Sequence, residues 1–224
     1  MKEITINLIR HGQTIYNKLG KIQGSSNINL SEVGKQQAKD FRIEPNINYD
    51  IAFHSSLSRS KETLEIICDK LNFKPFFKVE NLIIERSYGI FEGLTNDEIL
   101  EKYPKLYNAW KKNENTPIEN SETIENVVER IKRFISLIIS CNYKNVIVVT
   151  HSGVLYALYK YISKTPLGDR PKNITFDNCS SNILKIFYDE NTIHLKFFIG
   201  NQTNVECSCP TKEIISNTRG AQIF

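Results

Sequence analysis

No run of apolar residues in the chain approaches the length that crosses a bilayer, which argues against a helical membrane protein. The N-terminal stretch MKEITINLIRHG is also too short in its apolar part for a signal peptide, so the expected compartment is the cytoplasm, with no membrane partner. The five cysteines, Cys68, Cys141, Cys179, Cys207 and Cys209, are an odd set with no repeating interval, unlike a disulfide framework. Cys207-x-Cys209 lacks a second pair, so no metal site is expected there. Nor does one sign of charge dominate. The 29 Lys and Arg against 25 Asp and Glu leave a net +4 spread along the chain, which gives no basis for nucleic-acid binding and mildly favours a small anionic substrate. The sequence contains no internal repeat, and its 23 Asn and 31 Ile are a compositional bias to which we attach no chemistry.

What is present suffices for a packed core, since 40% of the 224 residues are hydrophobic and the length suits one generous domain. Two short β-rich segments, ITINLI at 4–9 and NVIVVT at 145–150, read as buried strands, and each delivers a histidine, His11 or His151, at its carboxyl end. A third, YDIAFHSS at 49–56, ends in serines, and further strands are expected at 76–84, 182–188 and 192–199. Between them, Ser31 is placed to cap a helix over 32–42, and a second helix is expected over 58–71. The clearest, 122–140, carries one apolar stripe of Ile124, Val127, Val128, Ile131, Phe134, Ile135 and Ile138. This alternation predicts an α/β domain with a largely parallel sheet and helices on both faces, in which ligands bind beyond the carboxyl ends of the strands. Residues 86–122, with helical pieces broken by Pro104 and Pro117 and with Tyr103, Tyr107 and Trp110 grouped, read as a small inserted cap. It serves either as a substrate lid or as a connection packing its own aromatics. The domain is expected over 1–204 and a loosely ordered tail over 205–224.

Phosphoryl transfer needs a nucleophile, positive groups or N–H donors around the equatorial oxygens, and an acid in line with the leaving oxygen. The sequence offers His11 as nucleophile, with Arg10 beside it and Arg59 in SSLSRSKET as guanidinium forks for phosphate oxygens. His151 is a further donor, and Glu85 in IIERSYG is the candidate acid. His54 reads as pocket wall or surface, and His194 as structural.

LIRHGQTIYN, SSLSRSKET, IIERSYGIFEGLT, NSETIENVVERI and VIVVTHSGVLYAL occur in the order seen in the histidine phosphatase superfamily, the phosphoglycerate mutase-like proteins, which the chain resembles over roughly residues 4 to 200. The resemblance implies a three-layer α/β/α sandwich and a phosphohistidine mechanism without metal or other cofactor. It implies His11 as nucleophile, Arg10, Arg59 and His151 as the phosphate pocket, and Glu85 as proton donor. Asn17 and Gln23 match positions that add hydrogen bonds to the phosphate in phosphatase members, and Gly12, Thr14, Arg86 and Ser152 border the substrate. The partner implied is a small phosphorylated metabolite, with a homodimer as the candidate assembly.

The superfamily holds phosphatases and mutases, and the residues lean towards hydrolysis. Gln23 stands where mutases carry Thr, Tyr16 where they tend to have Trp, and THSGVL is closer to the phosphatase HGGV than to the mutase HGNS. Asn96 and Ser87 replace a substrate-binding Lys and a His of the mutases, whereas Lys111 and Lys112 stand where mutases place arginines. Asn120 and Ser121 replace the usual pair of glycines. The expected function is a phosphomonoester hydrolase. The alternatives are a phosphoglycerate mutase primed by 2,3-bisphosphoglycerate, and a non-catalytic phosphate-binding module; the second would be expected to lack one of Arg10, His11, Arg59, Glu85 and His151, all of which are present.

Overall fold

The computed structural model describes residues 1–72 and 74–215. The chain runs β1 (Lys2–Arg10), α1 (Ile15–Lys18), α2 (Glu32–Asp40), β2 (Ile51–His54), α3 (Ser58–Cys68) and β3 (Phe76–Val79), then through two 3-10 turns, Asn81–Ile83 and Gly89–Phe91. It continues through α4 (Asn96–Lys102), α5 (Pro104–Lys112), α6 (Ile124–Ser140), β4 (Asn145–Thr150), α7 (Ser152–Ser163), β5 (Ser181–Tyr188), β6 (Thr192–Ile199), β7 (Thr203–Pro210) and α8 (Thr211–Ile215). The seven strands form one mixed sheet in the order β3-β2-β4-β1-β5-β6-β7. From β3 to β1 all pairings are parallel, and from β1 to β7 all are antiparallel.

β4 shows why the sheet forms where it does. Its run of five fully buried residues has no polar face, as expected of a central parallel strand covered on both sides. Val146 and Val148 join the core beneath α6 and α7, while Ile147 and Val149 join a second core beneath α2 and α3. The expected apolar stripe of α6 is buried, and Thr123 caps the helix by accepting the Asn126 N–H. Strands β5 and β6 instead alternate buried and half-buried residues, the pattern of a sheet packed on one face.

Two expectations change. Residues 76–84 do not form one strand: it stops at Val79, because the Glu80 N–H turns back to the His54 carbonyl at 2.8 Å and the Glu80 carboxylate accepts the Leu82 N–H, nucleating a 3-10 turn. The expected tail boundary at 204/205 falls inside β7, which pairs along its whole length with β6, and α8 follows it. The signal for β7 was the alternation of Val205, Cys207 and Cys209, which turn towards the core while polar residues between them face out. Residues 216–224 of that expected tail lie outside the described residues. The cap packs its own cluster of Phe91, Ile99, Trp110 and Ile118, with the Trp110 ring 5.5 Å from Phe91 and 6.2 Å from Tyr107.

Candidate active site

Strand register brings the two histidines together. In the parallel β1–β4 pair Arg10 lies opposite Thr150, so both strands end level and the His11 N–H donates to the Thr150 carbonyl at 3.0 Å. The His11 and His151 rings follow at a centroid distance of 5.2 Å, and both are buried. β2 lies on the other side of β4 and ends at His54, which places Ser55 beside His151 and lets α3 begin at Ser58, with Arg59 in its first turn. α3 and α7 both start at this edge, and neither has a side-chain cap, so two positive helix ends meet at the site.

Arg59 is fully buried, its two terminal nitrogens donating to the Ser26 carbonyl at 2.6 Å and the Gly24 carbonyl at 2.8 Å. Arg10 donates through Nη1 to the Phe176 carbonyl at 2.5 Å. The hydrogen-bond partners are neutral carbonyls rather than carboxylates, and burial lowers both pKa values, that of Arg59 to about 10, against a smaller opposing pull from the Glu85 carboxylate. Arg10 Nε, Arg59 Nε and His151 Nδ1 are buried and find no acceptor among the described residues. Three such donors on residues surrounding His11 are the signature of an anion site. His11 and His151 are held well below the ordinary imidazole value, first by burial and then by the arginines, so both rings are neutral. His11 Nδ1 lies 2.7 Å from the Gly12 carbonyl, which needs the proton on Nδ1 and leaves the Nε2 lone pair free.

Glu85 is buried, and its carboxyl accepts the Arg86 N–H at 2.8 Å and the Gly153 N–H at 3.0 Å. Burial raises its pKa, and Arg59 and these N–H groups pull only partly the other way, so the group can hold a proton where an exposed carboxyl has lost it. A methyl on Gly153 would lie 2.5 Å from Glu85 Oε1. Gly153→Ala therefore displaces the carboxyl, and the expected result is a kcat for alkyl phosphates lower by about a hundredfold with inhibition by orthophosphate unchanged. Steady-state kinetics with an alkyl ester checks this.

The sequence profile described as the histidine phosphatase superfamily (branch 1) matches residues 6–198. The chain belongs to this superfamily. It is 30% identical to phosphoserine phosphatase 1 of Hydrogenobacter thermophilus, over 68% of this chain and 72% of that protein. It is 33% identical to the 2,3-bisphosphoglycerate-dependent phosphoglycerate mutase of Buchnera aphidicola subsp. Cinara cedri, over 72% and 85% of the two chains. Its fold matches the solved structure of mycobacterial hydrolase 1 with a TM-score of 0.75 at 22% identity, covering 89% of this chain and 99% of that one. Membership makes it a phosphoryl-transfer enzyme.

Within this histidine phosphatase fold, the amides expected at the phosphate are oriented by Thr14. Its hydroxyl donates to Gln23 Oε1 at 2.7 Å, and Asn17 Oδ1 receives the Thr14 N–H at 3.1 Å and Asn178 Nδ2 at 3.3 Å. With both amide oxygens engaged, each side chain offers its NH2 group as a donor. Gly12 permits the close approach of α2, because a Cβ there would lie 2.5 Å from the Gly34 carbonyl, and its N–H donates to Thr63 Oγ1 at 3.0 Å. Ser152 is the first residue of α7. Arg86 is engaged within the cap: its guanidinium donates to the Glu122 carbonyl at 2.8 Å and to that of Glu114 at 3.4 Å, and the residue lines a cavity together with Tyr88, Gly153 and Tyr156. His54 is buried with Nδ1 donating to the Ser55 carbonyl, and His194 sits on the half-buried sheet face against Ser208.

Sequence reasoning missed Glu92. Its carboxylate accepts from the N–H groups of Ser25 at 2.9 Å and Tyr88 at 3.0 Å and from the hydroxyls of Ser25, Ser26 and Ser87. It thereby clamps the 24–26 loop whose carbonyls hold Arg59. The signal was present in the quoted IIERSYGIFEGLT, yet an acidic residue in a turn reads as solvated until the loop it meets, some 66 positions away in sequence, is known.

Proposed function

We propose that the chain is a phosphomonoesterase for small phosphorylated metabolites, working through a phosphohistidine on His11 without a metal ion. The positive charge that the dianion needs comes from Arg10 and Arg59, whose hydrogen bonds go to carbonyls and which form no ion pair among the described residues, with N–H donors from His151, Asn17 and Gln23. His11 Nε2 attacks phosphorus in line, forming the P–N bond as the P–O ester bond breaks, and Glu85 gives its proton to the departing alkoxide. Glu85, now a carboxylate, takes a proton from water as the water oxygen attacks the phosphohistidine; the P–N bond breaks, orthophosphate leaves and the carboxyl is restored.

The observation that carries hydrolysis over the mutase reading is the Thr14–Gln23 hydrogen bond, which fixes an amide donor in the pocket at the position where mutases carry Thr. Lys111 and Lys112, at the positions of the mutase arginines, are exposed at the end of α5, with Lys111 Nζ 5.7 Å from the Tyr107 ring centre. The five free cysteines suit a reducing cytoplasm. The test is a parallel assay of phosphate release from a panel of phosphomonoesters and of 3- to 2-phosphoglycerate interconversion with 2,3-bisphosphoglycerate present. Rapid release with negligible interconversion is expected. Efficient interconversion with slow release makes the protein a mutase.

A further inference from the structure

We infer that Ser55 decides which nitrogen of His151 carries the proton, and so makes His151 a hydrogen-bond donor to the phosphoryl group. The donor role rests on the phosphate reading of the pocket; the proton's position does not. Ser55 is fully buried at the end of β2, and its Oγ has two polar neighbours among the described residues: the Leu57 N–H at 3.3 Å and His151 Nε2 at 2.8 Å. A serine hydroxyl has one proton and two lone pairs. The Leu57 N–H takes a lone pair, so the hydroxyl proton of this buried group must go to the other neighbour.

His151 Nε2 is therefore an acceptor and carries no proton. A neutral imidazole has one N–H, which then lies on Nδ1, the nitrogen that is buried and finds no acceptor among the described residues. Burial and the nearby arginines keep the ring from protonating, so the choice of nitrogen is a real one. The other tautomer would strand the Ser55 proton and set a lone pair against an incoming phosphate oxygen. His11 carries its proton on the same nitrogen but to the opposite end. There the Gly12 carbonyl consumes Nδ1–H and exposes a lone pair, whereas at His151 the Ser55 hydroxyl consumes the lone pair and exposes Nδ1–H. Two like side chains become a nucleophile and a donor through one carbonyl and one hydroxyl.

Long-range proton–nitrogen NMR on protein with isotope-labelled histidine reads the tautomer directly, with His151 identified by the signals lost in His151→Gln. We expect a pyrrole-type Nδ1 and a pyridine-type Nε2 in the ligand-free wild type at neutral pH; a pyrrole-type Nε2, alone or with Nδ1, overturns the inference. Orthophosphate affinity is measured in parallel for wild type, Ser55→Ala and Ser55→Thr. Ser55→Ala should bind about ten- to a hundredfold more weakly and Ser55→Thr, which keeps the hydroxyl, should recover much of the loss. Unchanged affinity and tautomer in Ser55→Ala overturn the role of Ser55. A wild type with the expected tautomer that binds no orthophosphate removes the donor role and the phosphate reading together, while leaving Ser55 in control of the proton.

Discussion

His11→Asn should bind orthophosphate and fold normally yet lose turnover by about 10⁴-fold or more, because the variant lacks the imidazole lone pair that attacks phosphorus and the neighbouring His151 Nε2 is engaged by Ser55. The cause lies in one contact. The Gly12 carbonyl at 2.7 Å fixes the His11 proton on Nδ1, and burial beside Arg59 and Arg10 keeps the ring neutral at pH values where an exposed imidazole is charged. Acid-labile phosphoprotein, trapped by denaturing the wild type during turnover of radiolabelled substrate, should be missing from the variant. A variant that retains turnover eliminates the covalent route.

Glu85→Gln has the second largest expected effect. General acid catalysis is worth about 10² to 10⁴ in rate, or roughly 3 to 5 kcal/mol of barrier, and that loss should appear with alkyl phosphates. p-Nitrophenyl phosphate, whose leaving group departs without a proton, should lose far less; equal losses for both remove Glu85 from the acid role. The pH dependence has a definite sign. His11 must be unprotonated, and its lowered pKa moves the acid limb of the profile below the usual imidazole range. Glu85 must be protonated, and its raised pKa moves the alkaline limb above the usual carboxyl range. Alkyl esters should therefore give a bell whose alkaline limb is absent with p-nitrophenyl phosphate and absent in Glu85→Gln.

Much of the fold was legible because its signals are local. The four apolar residues of β4 from Val146 to Val149 and the seven apolar positions of α6 could be buried only in one way, and both elements formed where expected. β7 was missed because its inward residues, Val205, Cys207 and Cys209, are few and small, and its strand character comes from pairing with β6. The candidate site residues stood out because five motifs occur in the family's order; Arg-His-Gly at a strand end would by itself read as solvated charge. Arg86 was placed at the substrate by its match to the family's motif, and that motif carries no sign of the bond its guanidinium makes to the Glu122 carbonyl, 36 positions away.

The sequence by itself determined which chemistry is available: His11, Arg10, Arg59, Glu85 and His151 specify phosphoryl transfer wherever they meet, since each residue type carries its own charge and proton inventory. The tertiary structure alone decided how each one acts. The level ends of β1 and β4 make the two histidines neighbours, burial sets their charge, and partners distant in sequence assign their protons. Neither burial nor a hydrogen bond between residues 96 positions apart is a property of any local stretch of chain, so the division of labour between His11 and His151 exists only once the chain is folded.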